Sequence, residues 1–276
     1  MNWVFLGDSL TEGVGWKRVS YVTELVNQIR STNSLNVHEL RLRQSDANEF
    51  VDFNLAGKMD VDGRDSESDL WCWNLACEGK TIETDAAWLP LIRALRPELV
   101  VIFRGSLESI LRPAALREGQ WPWWVPSSWR GYAAMDPRCY FSTTWWRKAK
   151  QQLLDSTKQR TRLNLLIRGE AGPLTELELF GAQLDALLRR LRDLNTRVLI
   201  LGLLPVDEAQ FPGSPANFEK VNAKLKQIAA NEGVEFLDWG AELKQRANSE
   251  RFFYRDGFHP NPIGATALAE ILRSPL

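Results

Sequence analysis

Two short stretches at opposite ends of the chain hold the residue types that nucleophilic catalysis needs. Residues 7–13 read GDSLTEG and follow a short apolar run, whereas residues 256–260 read DGFHP. A serine hydroxyl becomes nucleophilic when a neighbouring base takes its proton, and N–H groups then stabilise the oxyanion that forms. The two stretches therefore predict a serine nucleophile, Ser9, and a histidine base, His259.

The choice of base is narrow because the chain of 276 residues contains only two histidines. Asp256 precedes His259 by three residues, so its carboxylate can accept a hydrogen bond from Nδ1 and leave Nε2 free to act as a base. His38 lies in an acidic, irregular stretch without such an arrangement. We expect His38 to be an ordinary surface or structural residue.

Other roles compete for the residues near this serine. A serine after a strand commonly caps a helix, but at such a turn it also directs its own N–H toward a developing negative charge. Cys77 belongs to the same region, yet no second base accompanies it. We expect Cys77 to be a small buried hydrophobic residue and Ser9 to be the nucleophile.

The order of these motifs resembles that of the GDSL, or SGNH, hydrolase family. Besides the GDSL and DGFHP stretches, residues 74–81 read NLACEGKT, which is similar to the second block of that family. The resemblance implies a three-layer, flavodoxin-like α/β sandwich with a five-stranded parallel sheet. It also implies a catalytic triad of Ser9, Asp256 and His259. Gly79 would join Ser9 in the oxyanion hole, and acyl-ester hydrolysis would need no cofactor; no metal site is expected.

One block departs from the family pattern. After its third strand the family usually has Gly-x-Asn-Asp, whose asparagine donates to the oxyanion, whereas residues 105–108 here read GSLE. Leu107 has no donor, and losing one oxyanion donor lowers turnover by roughly 10² to 10³. We hypothesise that Arg104 assists the oxyanion or holds an anionic group of the substrate. The alternative is a salt-bridged or solvated Arg104.

The elements that must position these residues alternate between short apolar runs and amphipathic stretches. The apolar runs predict five strands, at residues 3–6, 70–75, 99–103, 198–204 and 234–237. Helical spacing predicts helices at residues 19–29, 84–95, from about 175, 217–231 and 262–273. Thr175 and Glu178 have capping-box spacing, and Asn261 before Pro262 predicts a helix start. Strands separated by helices imply a parallel sheet covered on both faces.

Two segments interrupt this alternation and are predicted to be insertions in one domain that spans residues 1–276. The first covers about 38–70 and holds nine acidic residues against four basic ones. Within it, residues 60–63 read DVDG, like the start of a calcium loop, but the glycine comes too early, which favours a solvated acidic loop. The second covers about 104–174. Insertions of this size usually shape a site or a partner surface.

The second insertion holds half of the twelve tryptophans of the chain, followed by a basic stretch. The six lie from Trp121 to Trp146 with two prolines among the first of them, which favours a rigid loop. They either form a satellite core beneath the insertion or wall a pocket for an acyl group or sugar. The basic residues from Arg147 to Arg162 are interpreted as one face of a surface helix.

Composition excludes several classes of protein. With 34 Lys and Arg against 35 Asp and Glu, the formal net charge of −1 gives no bulk electrostatic case for nucleic acid. Three cysteines cannot all pair, which favours a reducing compartment over a disulfide scaffold. No signal segment or long apolar run is visible, so we expect a cytoplasmic protein without a membrane partner.

The residues and the resemblance together predict a serine-dependent carboxylic ester hydrolase. It would remove a small acyl group, such as O-acetyl on a carbohydrate or metabolite, through an acyl-enzyme. An acyltransferase with the same triad is the alternative among enzymes. A catalytically weakened binding protein is the alternative of a different class, because the asparagine of the third block is missing.

Overall fold

The computed structural model describes residues 1–13, 20–32, 35–42, 69–130, 133–246 and 248–276. Eight strands lie within these residues: β1 (Asn2–Gly7), β2 (Asn36–Arg41), β3 (Asp69–Asn74), β4 (Leu99–Phe103), β5 (Arg112–Pro113), β6 (Ala171–Gly172), β7 (Arg197–Leu201) and β8 (Glu235–Leu237). Six of them form one parallel sheet in the order β2-β3-β1-β4-β7-β8. The predicted α/β class with a parallel sheet is confirmed.

Strand β4 lies at the centre of the sheet and has the most continuous apolar sequence. All five of its residues are buried between β1 and β7. A strand covered by helices on both faces has no solvent face, so its side chains are apolar in both directions. The register pairs Gly7 with Phe103, so the segment that follows β1 leaves the sheet beside the end of β4.

The sheet has six strands where five were predicted, and the additional one is β2. Its sequence, NVHELR, is mostly polar, and only Val37 is buried. An edge strand has one neighbouring strand and tolerates polar side chains, so an apolar-run criterion does not find it. His38 therefore lies in a strand and not in an irregular stretch. The rest of the predicted first insertion, residues 43–68 with the DVDG motif, lies outside the described residues.

Helices flank the sheet. In the described residues the α-helices are α1 (Ser9–Glu12), α2 (Tyr21–Thr32), α3 (Leu89–Leu95), α4 (Ser106–Ser109), α5 (Ala114–Glu118), α6 (Trp145–Arg168), α7 (Leu177–Arg192), α8 (Ser214–Glu232), α9 (Trp239–Gln245) and α10 (Pro262–Arg273). Helix α2 packs against α10, and α7 packs against α8. Short 3-10 helices occupy Ile82–Trp88, Ser127–Trp129 and Ser249–Phe252.

Two helix starts test the capping predictions. Asn261 caps α10 as predicted, because its side chain accepts hydrogen bonds from the N–H groups of Ile263 at 3.0 Å and Gly264 at 3.1 Å. The prediction of a capping box at Thr175 is wrong. Helix α7 begins at Leu177 after Glu176, without a side-chain cap, so its apolar stripe and not its cap determines where it packs.

The segment of the predicted second insertion contains its own small elements. Strand β5 pairs antiparallel with β6, and between them lie α5 and the 24-residue helix α6. Val125, Met135 and Leu165 form a separate apolar cluster, against which Trp121 and Trp129 pack. The satellite-core interpretation therefore holds for these two tryptophans.

Candidate active site

Ser9 lies where β1 turns into helix α1. Asp8 caps this helix, because its Oδ1 accepts the Leu10 N–H at 2.9 Å. A Cβ on Gly7 would lie 2.1 Å from Thr11 Oγ1, so only glycine permits this close turn. The turn thus places Ser9, itself almost fully buried, at the end of the central strands.

The structure brings the three predicted triad residues together in one hydrogen-bonded chain. Ser9 Oγ lies 2.9 Å from His259 Nε2, and His259 Nδ1 lies 2.6 Å from Asp256 Oδ2. The carboxylate can only accept from Nδ1, so the neutral imidazole carries its proton there and presents Nε2 as the acceptor for the serine hydroxyl. The arrangement has the geometry of a nucleophile, a base and a residue that orients the base.

Asp256 is held in one orientation by its own turn. Its Oδ1 accepts the N–H groups of Phe258 at 3.2 Å and of His259 at 3.1 Å. Burial alone would raise the pKa of Asp256, but the hydrogen bond and charge of His259 outweigh burial and hold this pKa below its usual value. The aspartate is therefore ionised when it faces the imidazole.

The second block, residues 74–81, lies beside the turn that carries Ser9, and Asn74 at the end of β3 holds it there. The Asn74 side chain donates to Thr11 O at 3.1 Å and accepts the Ala76 N–H at 3.2 Å. The Cys77 N–H donates to Gly7 O at 3.0 Å. Gly79 follows with a φ of +71°, in the left-handed region that favours glycine. These bonds fix the Gly79 turn against the serine turn.

A cavity of about 520 Å³ opens onto these groups. Residues outside the two predicted insertions supply one side of its wall, including Ser9, Gly79 and His259. The other side comes from the second insertion: Asp136, Pro137, Arg138, Cys139, Tyr140, Leu154, Asp155 and Lys158. The cavity wall is polar and apolar in about equal parts, and a predicted insertion supplies much of it.

Cys139 is the site residue that the sequence did not indicate. Its Sγ lies 3.2 Å from His259 Nδ1, and its thiol hydrogen-bonds the Asp256 carboxylate. Burial and the negative charge of Asp256 raise the pKa of this thiol, so it stays protonated. No motif surrounds Cys139, and 120 residues separate it from His259, so no signal in the chain links them.

Three side chains here are of types that bind metal ions. The ligand atoms of Cys139, Asp256 and His259 all lie within 4.8 Å of one another. However, the imidazole proton lies between His259 Nδ1 and Asp256, and a bound ion would have to displace it. Hydrogen bonding accounts for the cluster as it stands.

Arg104 does not reach the cavity wall. Its side chain is 1% exposed, and its guanidinium forms a two-point ion pair with Asp85, with Nε 2.8 Å from Oδ2. A third bond runs from Nη1 to Lys80 O at 2.7 Å. A buried guanidinium needs a paired anion, and Asp85 supplies it. The geometry is that of the salt-bridged alternative, and Arg104 is not available to an oxyanion or a substrate.

The third block, residues 105–108, places the carboxyl group of Glu108 close to the Arg104–Asp85 ion pair. Glu108 is buried, and its Oε1 accepts the Ile82 N–H at 2.9 Å. Burial raises the pKa of Glu108 to about 7, although the charge of Arg104 opposes the shift. Leu107, which precedes Glu108, lines the cavity where the family pattern has an amide donor.

The remaining predicted features lie away from the cavity wall. His38 stacks on Trp71, with ring centroids 4.3 Å apart and planes 19° apart, in keeping with a structural role. None of the six clustered tryptophans is among the described residues that line the cavity. Trp123 and Trp145 are 90% and 79% exposed. The pocket-wall interpretation of the cluster is therefore wrong for these tryptophans.

A parallel sheet flanked by helices, with a Ser-His-Asp chain at the ends of its strands and the serine directly after β1, matches the SGNH hydrolases. The model of the GDSL-like Lipase/Acylhydrolase family matches residues 5–267, so the chain belongs to this family. It is accordingly a carboxylic ester hydrolase. None of the curated protein sequences compared with the chain matches it.

Solved structures share the fold at low sequence identity. A lipase/acylhydrolase from Enterococcus faecalis is similar with a TM-score of 0.56 and 14% identity, over 99% of this chain and 93% of that one. A catalytic mutant of an acetylxylan esterase from Geobacillus stearothermophilus is similar with a TM-score of 0.54 and 14% identity, over 98% of this chain and 91% of that one. An acetyl xylan esterase is similar with a TM-score of 0.54 and 13% identity, over the whole of both chains. In the described residues, no helix is both long and apolar enough to cross a bilayer.

Proposed function

We propose that the protein hydrolyses a small acyl ester through a covalent intermediate on Ser9. The observation that carries this proposal is the chain of hydrogen bonds from Ser9 Oγ to His259 and on to Asp256, open to a cavity of about 520 Å³. Each member of that chain has the partner that its role requires.

In the acylation step, Ser9 Oγ attacks the ester carbonyl carbon while its proton moves to His259 Nε2. The oxyanion that forms is stabilised by the N–H groups of Ser9 and Gly79, neither of which has an acceptor within the described part of the chain. The alcohol then leaves with the proton of His259. Water, deprotonated by the same nitrogen, attacks the acyl-enzyme and releases the acid.

The cavity supports a small acyl group on a polar alcohol. Glu12, Glu78, Arg138 and Lys158 are among the lining residues, and charged walls suit a hydroxylated leaving group better than a long acyl chain. Two of the similar structures are acetylxylan esterases, which favours an O-acetyl carbohydrate. An open cavity with charged side chains in its wall also supports hydrolysis over acyl transfer, because transfer needs water to be excluded.

Labelling with a phosphonate probe tests this proposal. Intact-mass analysis of the folded protein should show one covalent adduct, located on Ser9, and none on Ser9→Ala. Activity should be higher on p-nitrophenyl acetate and acetylated sugars than on long-chain esters. Absence of an adduct on the folded wild-type protein would favour the binding-protein alternative instead.

A further inference from the structure

Helix α6 exposes an unusual amount of apolar surface. Only three of its 24 residues are buried: Asp155, Arg162 and Leu165. Twelve large hydrophobic side chains are exposed among the described residues, and half of them lie on this one helix: Trp145, Trp146, Leu153, Leu154, Leu163 and Ile167. Exposed hydrophobic residues scattered singly need no explanation, but this concentration does.

Most of these side chains share one side of the helix. With 3.6 residues per turn, one arc of about 100° contains six apolar residues, which we call the outward face: Trp145, Trp146, Ala149, Leu153, Leu163 and Ile167. Ser156, Arg160 and Asn164 are the polar residues in the same arc. The three buried residues lie on roughly the opposite side. The outward face runs along a helix about 36 Å long and points away from the rest of the protein.

The same helix carries a strong positive charge. Five of its basic residues are exposed, and its single acid, Asp155, is buried: the exposed ones are Arg147, Lys148, Lys150, Arg160 and Arg168. Among the described residues, no carboxylate forms an ion pair with these five. The formal net charge of the whole chain is −1, so the helix is a local basic surface on a nearly neutral protein.

Buried polar contacts fix the helix to the protein. Arg162 donates to Gln210 O at 2.9 Å, and its guanidinium lies 5.0 Å from the centre of the Phe211 ring. Asp155 Oδ2 accepts from Arg255 Nη1 at 2.9 Å. These contacts orient α6, so its outward face is available without unfolding.

We propose that the outward face of α6 docks the protein on the surface of an anionic lipid bilayer. Helices that bind in this way place leucine, isoleucine and tryptophan at the acyl boundary and lysine and arginine among the headgroups. Arg160 lies within the apolar arc, and its long stem lets its charge reach the headgroup level. This inference departs from the expectation of a protein without a membrane partner. It concerns location and does not depend on the reaction at Ser9.

Other occupants fit this face less well. A second copy of the chain would bring two basic helices together, and like charges repel. A soluble polyanion would pair with the lysines and arginines but would leave Leu153, Leu163 and Ile167 without a role. A bilayer surface uses both the apolar arc and the charge.

Co-sedimentation with vesicles tests the proposal. The full chain should bind vesicles of equal parts phosphatidylglycerol and phosphatidylcholine, and bind phosphatidylcholine alone much more weakly. The variant Trp145→Ser/Leu153→Ser/Ile167→Ser should lower the partition coefficient at least about tenfold. A control that removes exposed apolar residues elsewhere, Leu179→Ser/Ile263→Ser, should leave it unchanged.

Charge variants complete the test. Lys148→Glu/Lys150→Glu should weaken vesicle binding severalfold, whereas Lys226→Glu/Lys244→Glu should not. Hydrolysis of a soluble ester should persist in all four variants, which shows that they are folded. The proposal is overturned if the anionic vesicles are not bound, or if binding survives the triple serine variant and so is electrostatic only. A dimer that depends on Leu153, without vesicle binding, would overturn it in favour of a second copy.

Discussion

The scaffold around the parallel sheet and the second insertion contribute to the cavity in different ways. The scaffold positions Ser9 just after β1, and Asp256 and His259 in a turn just before α10, with short and specific hydrogen bonds. The insertion adds Cys139 and Lys158 from a long, largely polar segment. In the proposed mechanism the scaffold would supply the reaction, whereas the insertion would supply the surroundings that select a substrate.

The largest effects should come from the scaffold. Ser9→Ala and His259→Ala should each lower kcat/KM on a short p-nitrophenyl ester by roughly 10⁴ or more, because each removes a partner that the other needs. The double variant should be no slower than either single one. Circular dichroism should show that all three remain folded. A single variant that kept a tenth of the activity would move the reaction away from this triad.

The next largest effects concern two buried ion pairs, one in each region. In the scaffold, Asp85→Asn leaves Arg104 buried without its anion, and we expect the free energy of unfolding to fall by about 3–5 kcal/mol. In the insertion, Asp136 lies between Arg112 and Arg162, both 2% exposed, so Asp136→Asn should cost a similar amount.

The two variants should differ in which part of the chain opens. Hydrogen exchange in Asp85→Asn should rise across the sheet, whereas in Asp136→Asn it should rise mainly around residues 133–140 and α6. The exposed Asp193→Asn should change neither. Equal exchange across both regions in the two variants would show that the insertion is not a separate unit of stability.

The parts of the fold and of the site that the sequence predicts are those that depend on residues close together in the chain. A continuous apolar run identifies β4, and the spacing of Asp256 and His259 identifies the base with its partner. Strand β2 was missed because edge pairing, not sequence, holds its polar residues in the sheet. The sequence leaves two roles open for Arg104, because its ion pair with Asp85 joins segments that lie apart in the chain. The contact between Cys139 and His259 likewise depends on how the insertion folds, because 120 residues separate the two in the chain.

A pH effect on stability tests the junction of the two regions, just after β4, where Glu108 is buried. The pKa of Glu108 is raised to about 7 by burial, against an ordinary value of 4.5, so the native state binds a proton that the unfolded chain has lost between these values. Stability from this group is therefore greatest below pH 4.5 and falls by roughly 3 kcal/mol as the pH rises through 7.

The isosteric variant Glu108→Gln removes this titration while its side-chain oxygen can still accept the Ile82 N–H. Urea unfolding at pH 5 and pH 8 should show a smaller loss of stability with rising pH in the variant than in the wild type. Identical pH dependence in the two proteins would show that Glu108 does not hold this proton.

The smallest effect should come from Cys139 in the insertion. Its removal should change the pH profile of kcat/KM, because Cys139 contacts Asp256, the partner of His259. The protonated Cys139 thiol donates to this carboxylate, so removing it leaves the carboxylate with one donor fewer and more able to stabilise a protonated His259. In Cys139→Ala, the acid limb of the kcat/KM profile should shift upward by less than about one pH unit, with plateau activity changed only a few fold. Cys139→Ser keeps a donor and should restore most of the shift. If alanine and serine lower activity equally at every pH, Cys139 only fills space, and the insertion does not reach the chemistry that the scaffold performs.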